Sequence, residues 1–270
     1  MIAILIYAHK NLGQTRRLIN SLKHKEVDIY LHVDLKCKLN ENFDDVYLLK
    51  RYNIKWGGNS QVQALFYALR EIANMNRKYD HYIFMSGQDY LIKPISQIVT
   101  FLNKNKEKNY LEYSLVTDKE IMGRYLEYRT GIRYVDAILR RILPKRNIFY
   151  EKKVYYGSSW WILNEDAVKY MTAEYYSRYY KKLYMTVCID EIIYQTILAN
   201  SKFKDSIIND NKRYIDWSDH KKGLNDGNPN ILRKNDYEKI INSGKFIARK
   251  LDCDIDEEIM NMLDKYRGEI

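Results

Sequence analysis

The 270-residue sequence predicts an α/β protein built on a wound, mostly parallel sheet. Three observations lead there. Residues 2–8 (IAILIYA) are nearly all apolar and β-friendly, the pattern of a central strand covered on both faces. Segments of this kind alternate with helical patterns through the first part of the chain. Only 3 Pro and 11 Gly leave little room for long linkers, while a hydrophobic fraction of 46% provides for a sizeable core.

The elements follow in order. After the first strand, residues 14–22 place Leu18, Ile19 and Leu22 at helical spacing. Residues 28–34 (DIYLHVD) read as a second strand ending in a carboxylate. Residues 60–76 predict a helix, with Ser60 and Gln63 forming a capping box and Val62, Leu65, Phe66, Leu69, Ile72 and Ala73 on one face. Residues 81–86 (HYIFMS) are a third strand, stopped by Gly87. Pro94 suits the start of a helix over 95–103. Residues 109–115 predict a further strand. The pattern then weakens, and 117–153 is read as an exposed, mobile excursion with basic residues around Pro144. Residues 155–163 (YYGSSWWIL) form a strand broken by Gly157. Asn164 is expected to cap a helix to about residue 180, and Asp190 another to about residue 200. A short strand over 213–217 and a helix over 254–266 complete the reading. No internal repeat or composition shift marks a boundary.

Composition narrows the function. Lys and Arg number 45 against 35 Asp and Glu, a net +10. That balance favours an anionic partner: nucleic acid, a phosphorylated ligand or an acidic membrane surface. Cys37, Cys188 and Cys253 are too few and too scattered for a disulfide framework or a structural zinc site, so a reducing compartment is expected. The apolar run 2–8 lacks a basic leader and is far short of the roughly 20 residues of a spanning helix.

No P-loop, dinucleotide-type glycine pattern, zincin histidine pair or Gly-x-Ser-x-Gly elbow is present. In wound sheets, ligands sit beyond the carboxyl ends of the strands, where His9, Asp34 and the Gly87-Gln88-Asp89 turn fall. A hard cation would need clustered carboxylates, and Gly87 stands two residues before Asp89 where a second would be expected. Asp190 and Glu191 read either as favourable charges at a helix start or, for Glu191, as a base facing a cleft. Arg213 and the cations around Lys250 read either as surface charge or as a diphosphate grip. Trp160, Trp161 and the tyrosines at 175, 176, 179 and 180 suit either sugar stacking or packing.

Eight strings then converge in order: LIYAHKN, IYLHVDLK, WGGNSQVQA, FMSGQDYLIKP, YGSSWWIL, IDEIIYQTIL, INDNKRYIDW and SGKFIARKLD. On these the chain resembles the core-2/I-branching family of β-1,6-N-acetylglucosaminyltransferases, which includes the peptide O-xylosyltransferases. The resemblance implies a glycosyltransferase-A fold, with a mixed, mostly parallel sheet flanked by helices. It would be one glycosyltransferase domain over 1–270, its nucleotide-binding half at about 1–108 and its acceptor-binding, catalytic half at about 109–270.

It further implies inverting, metal-independent transfer from a UDP-sugar to a glycan hydroxyl, with no cofactor because the UDP-sugar is a substrate. By motif, Glu191 would be the base, and Arg213 and Lys250 would bind the diphosphate. Asp34, Asp89 and His9 would line the nucleotide site. Glu112 would contact the acceptor, and Trp160 and Trp161 would flank the sugar. UDP-N-acetylglucosamine is the expected donor, with UDP-xylose second. The acceptor would be a glycan or glycolipid. The anchor, stem and many cysteines of the animal enzymes are missing, which predicts a cytoplasmic bacterial enzyme at the inner face of the cell membrane, touching anionic lipid. The alternatives are a non-catalytic nucleotide-sugar or carbohydrate binder and, on charge alone, a nucleic-acid binder, for which no motif is found.

Overall fold

The computed structural model describes residues 1–150, 152–221 and 227–268. Its strands are β1 (Ile2–Ala8), β2 (Val27–Val33), β3 (Tyr47–Leu48), β4 (His81–Ser86), β5 (Asp89–Leu91), β6 (Asn109–Leu111), β7 (Ser114–Leu115), β8 (Tyr155–Tyr156), β9 (Trp161–Asn164), β10 (Ile207–Ile208), β11 (Arg213–Ile215) and β12 (Ile247–Arg249). The large sheet runs β10-β6-β9-β4-β1-β2-β3, the predicted α/β architecture. Its β1–β2, β2–β3 and β10–β6 pairs are parallel and β6–β9 is antiparallel. The chain divides into two compact units, and β4 begins in one and ends in the other.

The first unit comprises Met1–Leu48, Ile83–Lys106 and Lys212–Ile270. Every residue of β1 is buried, as its unbroken apolar run requires. The register pairs Ala8 with Val33, so His9 and Asp34 leave the ends of adjacent strands together, and the Asp34 N–H donates to the Ala8 carbonyl at 2.8 Å. Asn11 starts the helix Leu12–Ser21, its Oδ1 accepting the Gln14 N–H. Gly87 turns against that helix: a Cβ there would lie 2.6 Å from Thr15 Oγ1. A small sheet, β11-β12-β5, places Arg249 opposite Asp89 and Arg213 beside Ile247. The helix Ile95–Lys104 follows Pro94, and Glu258–Arg267 ends at Gly268, whose φ of 76° suits glycine.

The second unit comprises Leu49–Tyr82 and Glu107–Asn211. Its helix Asn59–Asn74 buries the predicted face except Ala73, which is exposed in the last turn, and the capping box is absent. Gly58 is the cap, and Ser60 Oγ accepts the Lys55 N–H, so it serves the preceding turn. The expected strand at 109–115 splits into β6 and β7, and that at 155–163 into β8 and β9. Gly157 explains the breaks, since a Cβ there would fall 1.9 Å from the Glu112 carbonyl oxygen. Asn164 does cap Glu165–Glu174, accepting the Ala167 N–H at 2.9 Å. Asp190 is not a cap. It lies within the short 3₁₀ turn Ile189–Glu191, and its carboxylate turns inward. Residues 117–153 hold two helices, Lys119–Leu126 and Arg133–Ile142, in place of an irregular excursion.

Candidate active site

The candidate residues form two groups, one in each unit. In the first unit, Asp89 is fully buried between two guanidinium groups. Arg249 Nη1 donates to its Oδ1 at 2.9 Å, and Arg213 Nε lies 3.5 Å from its Oδ2. The Arg213 side chain is itself wholly buried and donates from Nη2 to the Phe84 carbonyl. Burial brings its guanidinium down to about 10, opposed by Asp89. Arg213 therefore acts from behind the surface, and Arg249, one residue before Lys250, is the more exposed of the two. The resemblance assigns Lys250 and gives Arg249 no role. Its register with Asp89 emerges only when β12 pairs with β5.

Lys250 Nζ donates to Asn228 Oδ1 at 3.4 Å. Burial, then Arg249 and Lys10, hold its ammonium below the ordinary lysine value, against Asp252. Lys10 pairs with Asp252 at 2.5 Å. His9 sits at the solvent edge of the same group. Desolvation by its neighbours, then Lys10, Lys250 and Arg249, lower its imidazole, and Asp34 opposes them. Asp34 is buried and accepts the Lys36 N–H at 2.8 Å. Lys10, Arg249 and Lys250 thus disfavour a proton on His9, as Lys10 and Arg249 do on Lys250. An anion arriving there would relieve that repulsion.

In the second unit, Glu191 is partly buried at the end of its turn. Arg124 Nη1 donates to Glu191 Oε2 at 2.6 Å. Arg124 lies over the Tyr156 ring, 5.6 Å from its centroid. Burial and then Asp190 raise the Glu191 carboxyl, while Arg124 opposes them. Desolvation also pushes Tyr156 to about 12 and Cys188 to about 11. Asp190 is held at Oδ2 by Ser159 Oγ (2.6 Å) and Gln61 Nε2 (2.9 Å). Burial raises its carboxyl as well. Glu191 is thus a carboxylate of raised proton affinity with an adjacent cation to orient it.

Glu112 joins this group through Gly157, whose N–H donates to the Glu191 carbonyl at 2.9 Å while its Cα faces the Glu112 carbonyl. Asn211 Nδ2 donates to Glu112 Oε2 at 3.1 Å. Trp160 is half-buried. Trp161 departs from the expectation: it is 0% exposed in β9 and packs edge-on against Tyr194, so its ring serves the core. Tyr175 and Tyr179 are likewise core residues, Tyr175 stacking on Phe66 at 3.7 Å. Arg124 and Tyr156 were missed because their spacing from Glu191 in sequence carries no signal. Among the described residues no group of three His, Cys, Asp or Glu is placed to hold a metal ion, and no helix is long and apolar enough to cross a membrane. None of the three cysteines is in a disulfide.

A family model for the Core-2/I-Branching enzyme matches residues 2–241. Xylosyltransferase 1 of Rattus norvegicus is 25% identical over 291 residues, covering 98% of this chain and 35% of its own length. Xylosyltransferase 2 of the same organism is 24% identical over 300 residues, covering 97% and 33%. Xylosyltransferase 1 of Homo sapiens is 25% identical over 291 residues, covering 98% and 30%. The chain thus spans about a third of the length of these relatives.

Proposed function

We propose that this chain, which belongs to the Core-2/I-branching enzyme family, is an inverting glycosyltransferase that moves a sugar from a UDP-sugar to a glycan hydroxyl. The setting of Glu191 carries the reading: a carboxylate raised by burial and Asp190 and held by Arg124 at 2.6 Å. In the step proposed, the acceptor oxygen attacks the anomeric carbon from the face opposite UDP. The bond from that carbon to the phosphate oxygen breaks, Glu191 takes the hydroxyl proton, and UDP leaves with the electron pair. Lys250 and Arg249 meet the diphosphate. Arg213 fixes Asp89, which holds Arg249, and adds its charge from behind. These cations are proposed to stabilise the leaving phosphate without a metal ion. Glu112 is proposed as the acceptor carboxylate, with Trp160 near the sugar, and Asp34 and His9 at the nucleotide.

The xylosyltransferase relatives bring UDP-xylose forward beside UDP-N-acetylglucosamine as donor. A panel of UDP-sugars, read by UDP release and thermal shift, tests the reading. Glu191→Gln should lower turnover by roughly 10²–10⁴-fold with UDP stabilisation retained. Near-normal turnover in that variant would remove Glu191 from its role. Activity should persist in chelator, and its loss there would overturn the metal-free step.

A further inference from the structure

The helix Arg133–Ile142 carries its amphipathic pattern turned outward. Tyr134, Val135, Ile138, Leu139 and Ile142 fall on one arc at helical spacing, while Arg133, Asp136, Ala137 and Arg140 occupy the other. Asp136 and Ala137 of the polar arc turn toward the protein, while Arg133 and Arg140 are exposed. Asp136 accepts from the Thr130 N–H (2.6 Å), the Thr130 hydroxyl (2.7 Å) and the Gly131 N–H (3.3 Å). Arg133, Asp136, Ala137 and Arg140 line a groove of about 610 Å³ together with Glu120 and Arg129. Most of the apolar arc is left to solvent: Tyr134 is 76% exposed, Ile142 67% and Ile138 40%, with Ile132 at 58% just before the helix, while Val135 and Leu139 are half-buried. No residue of this helix is buried. A soluble surface helix shows the reverse arrangement.

Charge indicates what covers it. Residues 131–153 hold seven Lys and Arg and two acidic residues, Asp136 and Glu151. Arg141, on the wheel beside Tyr134, and Lys145 are both exposed. Two copies meeting through this face would bring the same cations together, which favours a partner of opposite charge. We propose that this helix lies in the interface of an anionic lipid bilayer. Ile138 and Ile142 enter the acyl boundary, Tyr134 sits at headgroup level, and Arg141 and Lys145 meet lipid phosphates. This goes beyond the transfer reaction and does not depend on it.

The experiment is co-sedimentation of the full chain with phosphatidylcholine vesicles, with and without about a third phosphatidylglycerol. Binding should need the anionic lipid and weaken as salt is raised. The double variant Ile138→Glu/Ile142→Glu should lower partitioning at least about tenfold. Arg141→Gln should lower it roughly fivefold on anionic vesicles. Both change exposed side chains, so each should melt within a few degrees of the parent, and Arg141→Gln alone decides the matter should the double variant unfold. Absent binding to anionic vesicles would overturn the proposal, as would parental binding by both variants. A dimer in solution that the double variant dissociates would do so too, because it would assign the face to a second copy.

Discussion

Arg124 and Glu191, 67 residues apart in sequence, meet at 2.6 Å between the helix Lys119–Leu126 and a 3₁₀ turn. The contact sets the proton affinity of the proposed base. Burial and Asp190 raise the Glu191 carboxyl, and the Arg124 cation and its hydrogen bond lower it. Removing that cation must therefore raise the carboxyl further. A base works only when ionised, so the acidic limb of kcat/KM against pH should move to higher pH in Arg124→Met. Arg124→Lys should restore part of the parental position, because it returns the charge without the fork. A pH–rate profile checks this, and a limb that stays in place or moves to lower pH would show that Arg124 does not govern Glu191.

Arg213 and Lys250 should fail in different ways. The Arg213 side chain is wholly buried against Asp89 and the Phe84 carbonyl. Arg213→Ala opens that site and leaves Asp89 with Arg249 alone, at a cost of about 3 kcal/mol of stability. Lys250→Ala removes a less buried cation that meets only the Asn228 amide at 3.4 Å among its hydrogen bonds described. It should weaken UDP binding while the unfolding midpoint stays close to the parent. Urea unfolding and UDP titration of both variants separate the two roles. An Arg213→Ala protein of parental stability would contradict the buried assignment.

Much of this was legible in the chain, and the remainder shows where local pattern stops. The run IAILIYA announces β1 because a strand buried on both faces needs no alternation. Asn164 announces its helix because capping is settled within three residues. Asp190 misled for a related reason. Its place before an apolar helix resembles a cap, but the residues that claim it, Ser159 and Gln61, are 31 and 129 positions away. The Arg249–Asp89 pair, at a separation of 160, and Arg124 were hidden by the same distance. Trp161 was ambiguous because an aromatic in a strand reads the same facing core or ligand, and its complete burial decides for the core. The helix Arg133–Ile142 escaped because an apolar arc facing solvent, flanked by cations, looks like a charged loop.

Gly157 offers a test of how Glu112 and Glu191 are held in one place. Its N–H donates to the Glu191 carbonyl at 2.9 Å, and a Cβ on it would sit 1.9 Å from the Glu112 carbonyl oxygen. That obstacle is backbone, so it cannot swing aside as a flexible side chain would. Gly157→Ala should therefore cost about 1–3 kcal/mol of stability. It should also depress kcat more than it weakens UDP binding, because UDP is assigned to residues of the other unit. Calorimetry together with steady-state kinetics reads both effects, and a variant with parental kcat would mean that the spacing of Glu112 and Glu191 is not set here.

His9 reports on the cations of the first unit. Desolvation, then Lys10, Lys250 and Arg249, lower its imidazole, and Asp34 opposes them. Its titration, followed by the ring-proton NMR shifts of the five histidines, should fall below the ordinary value of about 6.5. Lys250→Met removes one of the repelling charges and should move it upward. Saturating UDP should move it upward too, since a bound diphosphate offsets the same charges and favours imidazolium. The two shifts share a cause, so UDP should move His9 less in Lys250→Met than in the parent if Lys250 is a principal contact of the diphosphate. An imidazole that titrates at or above the ordinary value, or one that ignores both changes, would separate His9 from the cationic group and remove it from the nucleotide site.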